Sequence, residues 1–196
     1  MTATAIVLLV ATALSSLVPV IVRRRLRSTL VVDAVTTAVM VGFAATAAAL
    51  AADAAPARGV GVVVVACAAM IAAVGGGGYV VRLVLWAGGA DTRERARDSA
   101  TGDGEHVPDA ESESGTEAEA GPLRGGRVIG YLERAAVAAT LLAGWPEGLA
   151  VILAVKSLAR YPELRAPHAG EQFIMGTFAS VLWATAMAGV GFLITH

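Results

Sequence analysis

Residues 59–81 contain no charged side chain. At 1.5 Å rise per residue, about 20 apolar residues in a helix cross the roughly 30 Å of a bilayer's hydrocarbon core. A helix suits that medium because its backbone polar groups are satisfied within the segment. The run extends to about Trp86, and it is one of six apolar runs, at 4–22, 30–52, 59–86, 128–144, 148–160 and 173–195. Hydrophobic residues form 56% of the chain, above the roughly 45–50% of soluble domains. The pattern predicts an all-α polytopic integral membrane bundle of about six transmembrane helices. The bias toward Ala, Val, Gly and Arg over Lys points to a high-GC bacterium and its cytoplasmic membrane.

The first run reads as a membrane helix rather than a cleaved signal peptide, because Arg23, Arg24, Arg25 and Arg27 follow it and no Lys or Arg precedes it. Residues 98–122 carry eight acids and no Lys or Arg, among Ser, Thr, Gly, Ala and Pro. Such a stretch cannot bury enough apolar surface to offset its ordering entropy. The organisation expected is a three-helix half over 1–88, an acidic disordered cytosolic loop over 89–125, and a second three-helix half over 126–196. With the N-terminus outside, the cytosolic segments receive Arg23 to Arg27, Arg82, Arg93 to Arg97, Arg124, Arg127, Arg160 and Arg165, and the outer turns receive Arg58 alone. This is a strong positive-inside bias. Opposed halves are a transporter architecture, though these two share no visible sequence pattern.

Four features interrupt the apolar runs. Gly75 to Gly78 reads as a kink or a close helix crossing, and no Gly-Lys-Ser/Thr follows to make a phosphate loop. Asp33 lies near the start of the second run. Arg82 and Trp86 suit the headgroup boundary. Glu133, Arg134 and Lys156 lie on the short fourth and fifth runs, with Arg160 at the end. Taking Trp145-Pro146 as the tip of a hairpin, Glu133 and Lys156 differ in depth by only about 3 Å. An ion pair of Glu133 with Lys156 or Arg134 is therefore reasonable. It would join the hairpin, which is either two full spans or a re-entrant pair. Intramembrane charges also mark ion or substrate pathways.

Small residues recur at helical spacing. Gly126 and Gly130 form one step, and Gly176, Ser180, Ala184 and Ala188 form a stripe that allows close helix packing. Thr177 and Ser180 are candidates for hydrogen bonds across helices. Cys67 is alone, which excludes an internal disulfide and a thiolate metal site, and it reads as a small buried residue. His168 and Glu171 share a cytosolic loop, but two ligands do not make a metal site. No catalytic triad, metal motif, cofactor fingerprint or nucleic-acid signature is present.

The segment from Gly126 through Gly130 and Glu133 to Arg134, the step Lys156-Ser157 with Arg160, and Gly176-Thr177 with Ser180 together resemble an uncharacterised bacterial membrane module. That module occurs as the C-terminal part of domain of unknown function 3307 proteins. Its pattern is Gly-Arg-x-Ile-Gly-x-Leu-Glu-Arg, Lys-Ser-x-x-Arg, then Glu-Tyr and Gly-Thr-x-x-Ser. Here Gln172-Phe173 follows Glu171 in place of the Tyr. The resemblance spans about 126–180 and implies no activity. The function expected is a non-enzymatic membrane component: a scaffold, regulator or complex subunit. Its partners would be the lipid bilayer and a homo-oligomer or membrane partner protein. The alternatives are a small transporter or channel using the charged hairpin, and a lipid-acting enzyme using Arg160, His168 and Glu171.

Overall fold

A computed structural model describes residues 1–17, 29–89, 126–159 and 169–196. These residues form helices and no strands. In chain order the helices are α1 (Thr2–Ser15), α2 (Thr29–Ala52), α3 (Val60–Ala87), α4 (Gly126–Leu142), α5 (Gly148–Ala159) and α6 (Ala169–Thr195). The 89–125 loop falls outside the described residues, apart from Gly89 at the end of α3.

The three longest helices, α2, α3 and α6, are apolar with little difference between their faces. Val7, Val35, Val63, Leu132, Val155 and Leu182 all lie exposed on the outer surface. A soluble bundle turns such residues inward. Leu30–Ala52, Val60–Ala87 and Gly170–Thr195 are long and apolar enough to cross a membrane. The remaining helices are shorter: α4 has 17 residues, α1 has 14 and α5 has 12. Among the described residues the six runs thus appear as six helices, three of them of spanning length.

Two further expectations are corrected. The helix foreseen over 4–22 ends at Ser15, where the Ser15 and Ser16 hydroxyls donate back to the Thr12 and Ala13 carbonyls. Cys67 is exposed, not buried. It lies on the outer side of α3 near Val63 and Ile71, where its weakly polar thiol is as compatible with an apolar exterior as with a core.

The core gathers around α3. Its Ala68, Ala69, Ala72 and Ala73 are buried, and the stripe continues through Gly76 and Gly77 to Tyr79. Against it lie Leu9, Met40, Val137, Trp183 and Met187 from α1, α2, α4 and α6. Small residues let the backbones come close. The glycine run is helical throughout, so it is a crossing and not a break. A Cβ added at Gly75 would strike the Ser16 hydroxyl, at Gly76 the Met40 methyl and the Trp183 ring, and at Gly77 the Arg134 side chain.

The Trp183 indole N–H donates to the Ala72 carbonyl at 3.0 Å, fixing α6 against α3. Trp183→Phe keeps most of the ring and loses this bond. The expected cost is about 1 kcal/mol, read from unfolding in mixed micelles.

One end of the bundle is tied by the Ala57 amide donating to Ile194 at 2.8 Å and the Thr2 hydroxyl donating to Ala55 at 2.6 Å. The α4–α5 turn lies toward this end, since Leu142 flanks Gly191. Gly144, at φ +71°, closes α4 in the left-handed conformation. It allows the Trp145 amide to return to the Thr140 carbonyl at 2.8 Å. The opposite end receives the end of α3 and the starts of α2, α4 and α6. All the charged groups within the bundle lie nearer to it.

Candidate functional site

Adjacent residues on a helix point about 100° apart, so Glu133 and Arg134 cannot serve the same neighbour. Glu133 turns toward α5. Both of its carboxylate oxygens accept from the Lys156 ammonium at 2.5 Å. The side chains are 9% and 23% exposed, respectively, and the Lys156 nitrogen lies 5.5 Å from the Phe173 ring centroid of α6. Of the two partners that the hairpin arithmetic allowed, Lys156 is the one that meets Glu133.

Arg134 turns the other way, into the junction of α3, α4 and α6, and is 5% exposed. Its Nε donates to the Val74 carbonyl at 3.2 Å, and a terminal nitrogen donates to the Ser180 hydroxyl at 3.4 Å. Tyr131 lies under the guanidinium at 5.4 Å. Gly77 and Gly130 leave room for this side chain. Among the described residues Arg134 forms no ion pair.

A second ion pair joins α2 to α3. Asp33, nearly inaccessible, accepts two bonds from Arg82 at 2.7 and 3.1 Å. The Arg82 side chain is 39% exposed, and its guanidinium lies 4.9 Å from the Tyr79 ring centroid. The Tyr79 hydroxyl donates to the Ser16 carbonyl at 3.1 Å, which ties α1 to the same layer. Sequence reasoning assigned Arg82 to the boundary and gave Asp33 no partner. Depth-matching about Pro56 places the two within about 5 Å in level, so the signal was present.

The other candidate residues are more scattered. A Cβ added at Gly176 would meet Val81 of α3 at ordinary contact distance, and Ser180, Ala184 and Ala188 are buried. The small-residue stripe therefore faces the bundle. Gly130 lies beside the Arg134 guanidinium, and Gly126 begins α4. The Thr177 hydroxyl is buried and forms no hydrogen bond, unlike Ser180. Glu171 is exposed in the first turn of α6. Arg160 and His168 lie outside the described residues. No group of three metal-ligating side chains occurs among the described residues.

The ion pair on the hairpin makes a direct prediction. Lys156→Met leaves the poorly accessible Glu133 carboxylate without its counter-ion and is expected to destabilise by about 1–3 kcal/mol, the partial exposure of Lys156 reducing the figure for a fully buried pair. Adding Glu133→Gln to Lys156→Met should recover much of that loss. A double-mutant cycle on unfolding in mixed micelles measures the coupling.

In comparisons with known proteins, no family model, no curated protein and no solved structure matches the chain.

Proposed function

We propose that the chain is a non-enzymatic component of a bacterial cytoplasmic membrane, inserted with its N-terminus outside, whose internal charges join helices. The supporting observation is that each charged layer connects different helices. Asp33 and Arg82 connect α2 to α3, Glu133 and Lys156 connect α4 to α5, and Arg134 connects α4 to α3 and α6. Polar contacts of this kind hold membrane helices in a particular arrangement. The apolar exterior and the three helices of spanning length support residence in a bilayer.

The orientation rests on arginine placement. Connections at the charged end contain Arg23, Arg24, Arg25, Arg27, Arg93, Arg95, Arg97, Arg124, Arg160 and Arg165, and the opposite end has Arg58. Arginine collects on the cytosolic side. In a Cys67→Ala background, a cysteine at Arg58 should react with a membrane-impermeant maleimide on intact spheroplasts. A cysteine at Ala110 should react only after lysis. The opposite pattern would reverse the orientation.

A role as scaffold, regulator or subunit predicts that affinity purification in mild detergent recovers a stable partner or oligomer. Recovery of a clean monomer alone counts against it. Arg134, which forms no ion pair among the described residues, favours a second reading, a small transporter or channel. That reading predicts ion flux in proteoliposomes, abolished by Glu133→Gln or Lys156→Met in variants that still fold. The resemblance of residues 126–180 to the C-terminal part of domain of unknown function 3307 proteins draws on this same charged hairpin.

A further inference from the structure

Glu133, Arg134 and Lys156 bring two cations and one carboxylate to the α4–α5 hairpin, a local excess of one positive charge. Glu133 is engaged by Lys156, so the excess resides on Arg134. This guanidinium has five N–H donors, and its two hydrogen bonds go to neutral oxygens at 3.2 and 3.4 Å. A buried, always-charged group with no counter-ion is unusual.

On α6, Phe173, Thr177, Ser180 and Ala184 follow the spacing i, i+4, i+7, i+11 and so share one helix face. Phe173 meets Lys156, and Ser180 meets Arg134. Thr177 lies between them in sequence on that face, and its hydroxyl is buried with no hydrogen-bond partner. An orphan hydroxyl costs free energy unless something occupies its site. Among the described residues, a cation without an ion pair and a buried hydroxyl without a hydrogen bond thus lie on facing helices.

We propose that Arg134, Thr177 and Ser180 bind a phosphate-type oxyanion, with Lys156 at its margin. Guanidinium suits such a ligand because its planar N–H fork matches tetrahedral oxyanions. The side chain of a helical residue leans toward the helix N-terminus, here the charged end. The same chemistry is offered by inorganic phosphate and by the headgroup of an anionic phospholipid. The proposal goes beyond the helix-joining role. It draws on the bilayer reading only for the high cost of the unpaired charge, and its test is independent of partner recovery.

The full chain is purified in a neutral detergent, and its thermal unfolding is followed against inorganic phosphate at constant ionic strength set with chloride. In parallel, native mass spectrometry compares retention of phosphatidylglycerol with that of phosphatidylcholine. Wild type is compared with Arg134→Gln and with Thr177→Val, which removes only the hydroxyl. The expected result is a saturable rise in melting temperature with phosphate, preferential retention of phosphatidylglycerol, or both, with the apparent affinity about tenfold weaker in Thr177→Val. A phosphate response identifies the free ion as sufficient, and phosphatidylglycerol retention alone identifies the headgroup as the source. If neither ligand is bound, or Thr177→Val responds like wild type while merely gaining stability, the site is refuted. That gain is what deleting an orphan hydroxyl produces without a ligand.

Discussion

Replacing Gly77 by valine should destabilise the bundle by about 3 kcal/mol or more, combining overpacking with loss of the charged hydrogen bonds behind it. A Cβ at Gly77 runs into the Arg134 side chain at Cδ and lies 2.7 Å from Nε. That part of arginine is held by the Val74 carbonyl and cannot swing aside like a free terminus. The adjacent Gly78 supplies the control. A Cβ added there would meet the Arg82 terminal nitrogen at 3.7 Å, an ordinary contact. Gly78→Ala should therefore be neutral or stabilise by about 0.5–1 kcal/mol, the usual gain for alanine over glycine inside a helix. Unfolding of both variants in mixed micelles reads the contrast. Equal tolerance at 77 and 78 would remove Arg134 from the α3–α6 junction.

The second large effect is expected at Arg82. Arg82→Met takes both guanidinium bonds from Asp33, which is almost wholly buried. Breaking a buried pair by removing one partner costs about 3–5 kcal/mol, chiefly because the other charge stays desolvated. Arg82 is itself partly exposed and Asp33 keeps a further interaction, so the loss should lie at or below the lower end. Asp33→Asn combined with Arg82→Met should be more stable than Arg82→Met alone, since the buried charge is then gone. Arg82→Lys should fall between them, because an ammonium cannot reproduce the two-pronged contact. If Arg82→Met unfolds like wild type, Asp33 does not depend on this partner.

The two ion pairs differ in how readily the sequence shows them. Glu133 and Lys156 flank a turn marked by Gly144, Trp145 and Pro146, so counting residues from the tip places them level. Asp33 and Arg82 flank a turn of the same kind at Pro56. That pair is less legible because a headgroup-boundary position accounts for Arg82 equally well. Arg134 was harder still. Whether it pairs with Glu133 or turns inward depends on which neighbours lie within its sweep. That is set by Gly77, fifty-seven residues earlier, and by Ser180 on another helix. Hydropathy reveals where a helix is apolar but not which side meets which neighbour when every side is apolar, as in α3. The four glycines indicated a close crossing, yet the identities of Ser16, Met40, Trp183 and Arg134 as the groups crossing there were invisible without coordinates. The end of α1 at Ser15 was likewise not legible in hydropathy, because the apolar run continues to Val22.

The Trp183 ring against Gly76 and the Ala72 carbonyl has a bearing on biogenesis. The face of α3 that receives this ring is synthesised more than a hundred residues before α6 is complete. At about 5–20 residues per second, it waits for roughly 5–20 s. Through that interval a narrow channel of alanine and glycine on α3 lacks its native cover, and any helix with a bulky side chain can compete for it. In the bilayer setting proposed above, nascent α1 to α3 are therefore expected to dwell beside the insertion machinery or a membrane chaperone until α6 arrives, making α6 the step that commits the bundle to its final arrangement.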